Sequence, residues 1–111
     1  METFTKGDVV IIEFPFSNLS GSKKRPALVL ANLIGDDVVL CQITGEERYD
    51  IYSIYLKNTD FSLGNLAGNS AIRPHKLFTA HKSRIEYKVG SIKRYKIKEV
   101  EEKIINIFKN N

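Results

Sequence analysis

The sequence predicts a mainly β fold that ends in one α-helix, arranged as a small curled sheet or barrel. Short runs of β-branched and aromatic residues, separated by turn residues, fill most of the chain. Only the last segment has helical periodicity, and the sequence contains no internal repeat. A chain of 111 residues is expected to form a single domain over residues 1–111. Domains of this size bury roughly 65% of the surface of the unfolded chain, so no disulfide is needed.

Six runs are predicted to be β-strands. The first three are closely spaced and indicate an antiparallel meander: Asp8–Phe16, Pro26–Ile34 and Asp37–Thr44. The other three are less regular: Asp50–Leu56, Ser70–Thr79 and Glu86–Ile92. The Gly- and Asn-rich segment Asn58–Asn69 is expected to be a loose connection between them.

The final segment has the periodicity of an amphipathic helix. Its apolar residues recur at spacings of three and four, with charged residues between them: Ile97, Val100, Ile104, Ile107 and Phe108. We therefore expect one helix to close the chain.

Composition limits the compartment and the partners. Lysine and arginine outnumber aspartate and glutamate by 17 to 13, and the resulting net charge of +4 favours a polyanionic partner. The single cysteine, Cys41, is expected to be a small buried side chain, and no cysteine–histidine cluster has zinc-finger spacing. No apolar run approaches the roughly 20 residues of a membrane span. These features predict a cytoplasmic protein with no metal, no cofactor and no membrane partner.

The stretch GSKKRPALVLAN, residues 21–32, contains three consecutive cations that are followed by a proline and an aliphatic run. Pro26 is predicted to be the first residue of a strand, and it favours an extended backbone at Arg25. A guanidinium held still in this way suits phosphate binding. The alternative is a solvated charge run that protects a strand edge. The preceding segment Asn18–Lys24 is expected to be a mobile loop able to close over a substrate.

Several motifs in order resemble the MazF/PemK family of toxins from bacterial type II toxin–antitoxin systems. They are GDVVIIEFPF, GSKKRPALVLAN, CQIT and SAIRPHKLFTAHKSRI, and the similarity extends from Lys6 to about Phe108. The resemblance implies a small SH3-like β-barrel of the CcdB/MazF type that forms a homodimer. It also implies a sequence-specific endoribonuclease that cleaves single-stranded RNA without a metal, and a cognate antitoxin whose acidic tail lies in the RNA groove.

The resemblance assigns the catalytic roles to Arg25 and Thr44. Family members of this type let the ribose 2′-OH attack the adjacent phosphate, and Arg25 would stabilise the charge on that phosphate while Thr44 donates a hydrogen bond to it. Arginine is a poor base, so the proton acceptor stays unassigned. The alternative for Thr44 is a strand-end residue with high β propensity. Gly45 stands where many relatives carry a serine, so a second hydroxyl is missing.

Three cations are the predicted RNA-binding residues: Lys23, Lys24 and Arg73. Arg73 precedes a proline as Arg25 does, and its alternatives are contact with the second copy of a dimer and a structural role. Two histidines could transfer a proton or simply lie at the surface: His75 and His81. Three tyrosines could stack on bases or pack in the core or in a dimer: Tyr49, Tyr52 and Tyr55.

Two other functions remain open at this point. A gyrase-poisoning toxin of the related CcdB type would not need the pair of Arg25 and Thr44. A non-catalytic nucleic-acid-binding protein would keep both residues and only hold RNA. The sequence does not predict the RNA recognition motif or the identity of the antitoxin.

Overall fold

The structure is a computed structural model that describes residues 3–15 and 22–111. Seven β-strands lie in these ranges: β1 (Asp8–Pro15), β2 (Ser22–Asn32), β3 (Asp37–Gly45), β4 (Ile54–Leu56), β5 (Phe61–Gly64), β6 (Ser70–His81) and β7 (Ile85–Ile92). One α-helix, α1 (Arg94–Asn110), follows them. The predicted mainly β fold with a C-terminal helix is confirmed. Among the described residues, no helix is both long enough and apolar enough to cross a membrane.

The strands form one antiparallel sheet in the order β4-β6-β3-β2-β1-β7-β5. The first three strands are neighbours, which confirms the predicted meander. Strand β6 then adds to the outer side of β3, and β7 adds to the outer side of β1. The two additions extend the meander in opposite directions, and the sheet curls as expected of the predicted small barrel.

Both faces of the central strands are buried, because successive side chains of a strand point to opposite sides. One face contains Val9, Leu28 and Ile43 and packs against the helix through Val100. The other face contains Val10 and Val29 among its buried residues. Full burial of one such side chain stabilises the fold by about 1.5–3 kcal/mol. This two-sided burial explains the nearly continuous apolar runs in the sequence.

Cys41 occupies the helix-facing side of the sheet. It is completely buried, and this burial raises the pKa of its thiol to about 12. The thiol therefore stays protonated at physiological pH, as expected of the small buried side chain predicted from the sequence.

Strand β2 begins earlier than predicted. Its first residue is Ser22, and Lys23–Arg25 pair with the end of β1, so Pro26 is an interior residue of the strand. The placement of Pro26 at a strand start was wrong. Proline is tolerated here because pairing with β3 begins only at Ala27, and β2 is paired on one side before that point. Ser22–Lys24 of the predicted mobile loop belong to β2, whereas Phe16 and residues 18–21 lie outside the described residues.

Two further differences concern the segment after β3. The predicted strand Asp50–Leu56 is reduced to Ile54–Leu56, because the Asp50 carboxylate accepts hydrogen bonds from the Tyr52 backbone N–H (3.0 Å) and the Ser53 hydroxyl (2.9 Å) and forms a turn. The predicted loose connection contains strand β5. Gly64 ends β5 with φ of 69°, and a Cβ there would lie 2.0 Å from the Val89 carbonyl oxygen of β7. Only glycine permits this close approach.

The start of α1 is anchored by a buried ion pair. The Lys96 ammonium lies 3.6 Å from Asp60 Oδ2 and 2.9 Å from a Glu99 carboxylate oxygen. Burial raises the pKa of Asp60, but hydrogen bonds from the Tyr95 hydroxyl and the Lys57 N–H, together with the charge of Lys96, outweigh this and hold it below its usual value. The helix is thereby fixed against the end of the sheet.

Candidate active site

Arg25 and Thr44 lie on the same face of two neighbouring strands. Strands β2 and β3 pair as far as Ala27 opposite Gln42, and counting two residues further along each strand brings Arg25 level with Thr44 on the same face of the sheet. Both residues are half-buried. Both residues therefore lie on one face of the sheet at the same level of neighbouring strands, and we call these two predicted catalytic residues the catalytic pair.

The catalytic pair lies beyond the end of the pairing between its two strands. Pairing of β2 with β3 stops at Ala27, but Arg25 remains paired with Ile12 of β1, and Thr44 remains paired with Ala71 of β6. Each strand is thus held by its outer neighbour where the β2–β3 pairing has ended. Side chains on strands held in this way keep a fixed spacing, which favours stabilisation of a charged group bound between them.

The two predicted RNA-binding lysines lie on different faces. Lys23 pairs with Phe14 of β1 and shares the face of Arg25, two residues away. Lys24 points to the opposite face and forms an ion pair with Glu86 at 3.3 Å. The structure thus groups Lys23 with the catalytic pair and separates Lys24 from it. An RNA-binding role stays a prediction for each.

Arg73 pairs with Gln42 of β3 and lies on the same face as the catalytic pair. Its guanidinium donates a hydrogen bond to Asp50 Oδ2 at 3.0 Å, and 17% of its side chain is exposed. Asp50 partly neutralises Arg73 and holds it in place. The structural alternative for Arg73 therefore has an observed partner, while contact with RNA stays a prediction.

Asp50 is also the centre of a polar cluster with Arg73 and His75. Burial raises the pKa of Asp50, but hydrogen bonds from Ser53, the Tyr52 backbone N–H and Arg73, together with the charge of His75, lower it to about 2. His75 Nε2 lies 3.2 Å from the same carboxylate oxygen that binds Arg73. Asp50 was not identified from the sequence, because only the tertiary structure brings its turn beside β6.

His75 is enclosed rather than exposed. Burial lowers its pKa below the usual value, and the nearby charges of Arg73 and Lys76 act in the same direction, against the opposing effect of Asp50. The Tyr52 ring lies 5.0 Å from the imidazole, and His75 Nδ1 is buried without a hydrogen-bond partner among the described residues. His81, by contrast, is exposed, with its Nε2 3.6 Å from Asp36.

The other two tyrosines of the predicted set stack on each other. The rings of Tyr49 and Tyr55 lie 4.2 Å apart and nearly parallel, and both side chains are about half exposed. They do not belong to the core of this chain. Stacking on bases and packing in a dimer remain the two alternatives for this pair.

The lowered pKa of His75 predicts a loss of stability in acid. The pKa of His75 in the folded state lies below the ordinary value of 6.5. As the pH falls through 6.5, the unfolded state therefore binds more protons than the folded state. The contribution of the neutral His75 to the free energy of unfolding is fully present only above that pH. We expect the free energy of unfolding, measured by urea denaturation, to decrease from pH 7.5 to pH 5.5. His75→Gln should remove most of this decrease, whereas the exposed control His81→Gln should retain it. An unchanged pH dependence in His75→Gln would contradict the assignment.

A cavity of about 460 Å³ lies on the same face of the sheet as the catalytic pair. Its lining includes Ile12 and Phe14 of β1, Gln42 of β3, and Lys76 and Phe78 of β6. The β3–β6 register shifts so that Cys41 pairs with Leu77 while Gln42 pairs with Arg73, and the three intervening residues bulge. Gln42, Lys76 and Phe78 were not predicted from the sequence, because the strand register and the bulge that bring them to one cavity depend on the pairing of β3 with β6.

Comparisons with known proteins agree with this architecture. The model of the PemK-like, MazF-like toxin family of type II toxin–antitoxin systems matches residues 5–108. The MazE–MazF structure from Deinococcus radiodurans (Form-II) is 19% identical, with 100% of each chain covered and a TM-score of 0.79. An endoribonuclease in complex with its cognate antitoxin, from a mycobacterial species, is 14% identical, with 98% of each chain covered and a TM-score of 0.73. The Mycobacterium tuberculosis toxin MazF-mt6 is 17% identical, with 92% of this chain and 98% of its own covered and a TM-score of 0.68. No curated protein has a significant sequence match.

Proposed function

The chain belongs to the PemK-like, MazF-like toxin family of type II toxin–antitoxin systems, and on this premise we propose that it is a sequence-specific endoribonuclease acting on single-stranded RNA. The observation that carries the proposal is the catalytic pair, with Arg25 and Thr44 on one face and at the same level of the neighbouring strands β2 and β3. A gyrase-poisoning toxin would not require this pair.

In the proposed reaction, the ribose 2′-OH attacks the adjacent phosphorus and the bond to the 5′-oxygen of the next nucleotide breaks. The 2′-OH loses its proton, and the leaving oxygen gains one. The products are a 2′,3′-cyclic phosphate and a free 5′-OH. Negative charge grows on the phosphate oxygens in the transition state, and the Arg25 guanidinium stabilises it while the Thr44 hydroxyl donates a hydrogen bond.

The surrounding charge supports a polyanionic substrate. The chain has a net charge of +4, and Lys23 extends the face of Arg25 along β2. Arg73 lies on the same face, on β6 next to β3, and Asp50 partly neutralises its charge. Cations on one face raise the local concentration of RNA and bind its phosphates.

The proposed partners are a cognate acidic antitoxin and a second copy of the chain. The D. radiodurans MazE–MazF structure and the mycobacterial endoribonuclease with its cognate antitoxin support the first partner. Large apolar side chains are exposed in two segments, and we propose that the homodimer buries them: Ile51 and Tyr55 in one, and Ile105 and Phe108 on α1. A stable homodimer would bury more than about 1,000 Å² in total. We place this activity in the cytoplasm, where mRNA is available.

Cleavage of RNA in the presence of excess EDTA tests the proposed function. We expect the purified protein to cut single-stranded RNA at a short motif and to leave the same RNA intact in a duplex, because the proposed chemistry takes place on one strand and needs no metal. The new 5′ ends should accept phosphate from a polynucleotide kinase without prior phosphatase treatment. The new 3′ ends should carry the cyclic phosphate.

Other outcomes would replace the proposal. Intact RNA together with trapped gyrase–DNA cleavage complexes would assign the chain to the CcdB type of activity. Tight binding of RNA without any cleavage, with or without added divalent metal, would identify a non-catalytic RNA-binding protein. Cleavage that stops when EDTA is added would contradict the metal-independent mechanism.

A further inference from the structure

The cavity beside the catalytic pair has an aromatic floor and a cationic rim. The rings of Phe14 and Phe78 meet edge to face, with centroids 4.9 Å apart and an interplanar angle of 69°. Phe78 is only partly buried, so part of its ring is accessible from the cavity. Exposed Lys76 and Arg84 lie at the rim, and Glu13 is the carboxylate among the lining residues.

The cavity adjoins the catalytic pair through two of its lining residues. Ile12 is the β1 residue paired with Arg25. Gln42 lies on β3 two residues before Thr44, which separates their Cα atoms by about 7 Å along the same face. A nucleotide whose phosphate lies between Arg25 and Thr44 could therefore place a base in the cavity without leaving this face of the sheet.

We propose that this cavity binds one unpaired nucleobase of the RNA, from a nucleotide adjoining the cleaved phosphate. Phe78 supplies the surface on which the base stacks, and the Gln42 amide forms hydrogen bonds with the base edge. The inference rests on the proposed function and deepens it, because it assigns part of the sequence preference to two residues of this chain.

The chemistry of the cavity fits a base that is attached to a phosphate backbone. A volume of about 460 Å³ lies within the range typical of small-molecule sites and accommodates a base with its ribose. An aromatic floor stabilises any unstacked base, whereas an amide offers both a donor and an acceptor to distinguish one base edge from another. The rim cations Lys76 and Arg84 lie where the phosphates flanking that nucleotide would pass.

Cleavage of an RNA library randomised around the cut site tests the role of Gln42. We expect the wild-type protein to prefer one base at a position next to the cleaved bond, and Gln42→Ala to reduce that preference by about tenfold or more while preferences elsewhere persist. The control Tyr87→Ala changes an exposed aromatic residue on β7, outside the cavity, and should keep the wild-type pattern.

Binding of an uncleavable RNA tests the role of Phe78 separately from catalysis. In this RNA a deoxyribose replaces the ribose at the attacking nucleotide, and an abasic site is moved along the chain. Loss of the base at the preferred position should weaken binding to the wild type by about tenfold, as expected for lost stacking. Phe78→Leu keeps an apolar side chain against Phe14, so it should fold, but it should be much less sensitive to the abasic site.

The outcomes separate this inference from the proposed function. Normal cleavage with unchanged base preferences in Gln42→Ala and Phe78→Leu would overturn the inference and leave the proposed function intact. An abasic effect that depends on Phe78, in a protein that cuts no RNA, would support the base site and contradict the endoribonuclease. If the two variants instead weaken homodimer formation in sedimentation experiments and leave base effects unchanged, the cavity holds a second copy of the chain and the inference is wrong.

Discussion

Replacing Arg25 with alanine is expected to slow cleavage of single-stranded RNA by about 10²–10³-fold, the usual loss when one positioned charge stabiliser is removed. The effect arises because a guanidinium on a paired strand needs no rearrangement when charge develops on the phosphate. The fold should survive, since the side chain is half-buried and β2 pairs with Ile12 through its backbone. Single-turnover rates with saturating protein, together with circular dichroism, would measure both effects.

Two matched variants show whether the contact or only the charge matters. Arg25→Lys keeps the charge but loses the forked donor geometry, so it should recover only part of the rate. Lys24→Ala removes the adjacent cation, which lies on the other face of β2 and forms an ion pair with Glu86. Because Lys24 acts on the phosphate only through the long-range electrostatic field, which salt screens, its loss should change the cleavage rate by less than about tenfold. Equal losses in Arg25→Ala and Lys24→Ala would mean that Arg25 acts only through general charge.

Thr44→Ala should also slow cleavage, because Thr44 is expected to donate a hydrogen bond to the same phosphate. If the two side chains serve one group, the double variant should lose less than the product of the two single losses. Fully multiplicative losses would indicate that Arg25 and Thr44 act independently, which would argue against their opposed placement as a single site.

A single deoxyribose immediately 5′ to the scissile phosphate is expected to abolish cleavage at that bond. The proposed nucleophile is the 2′-OH of that nucleotide, so its removal leaves nothing to attack the phosphorus. Binding should persist, because the phosphates and bases that contact the protein are unchanged. The measurement compares cleavage and binding of the substituted RNA with those of the all-ribose RNA.

The control for this experiment carries the deoxyribose one nucleotide beyond the cut, on the 3′ side. This RNA keeps the attacking hydroxyl and should be cleaved at close to the normal rate. If the first substituted RNA is also cut normally, water or a protein side chain is the nucleophile, and the roles proposed for Arg25 and Thr44 are wrong. Cleavage of neither substituted RNA would show that deoxyribose disturbs binding instead.

The sequence alone determined the class of fold and the position of most of its elements. The aliphatic runs around Val9, Val29 and Leu40 are strands buried on both faces, and such runs are recognisable without tertiary information. The spacing of Ile97, Val100 and Ile104 likewise predicted the helix, because it reflects the 3.6-residue period of the backbone. The order of motifs identified the family and, through it, predicted Arg25 and Thr44 as the catalytic residues.

The tertiary structure alone decided how the side chains of the candidate site meet. From the sequence, Lys23–Arg25 were predicted to precede a strand. In the structure they pair with β1 and belong to β2. The contacts of Asp50 with Arg73 and His75, and the bulge that turns Lys76 toward the cavity, depend on how β6 aligns with β3. Local propensity is a property of neighbouring residues, whereas strand register is set by contacts between segments far apart in the chain, and only the folded sheet contains those contacts.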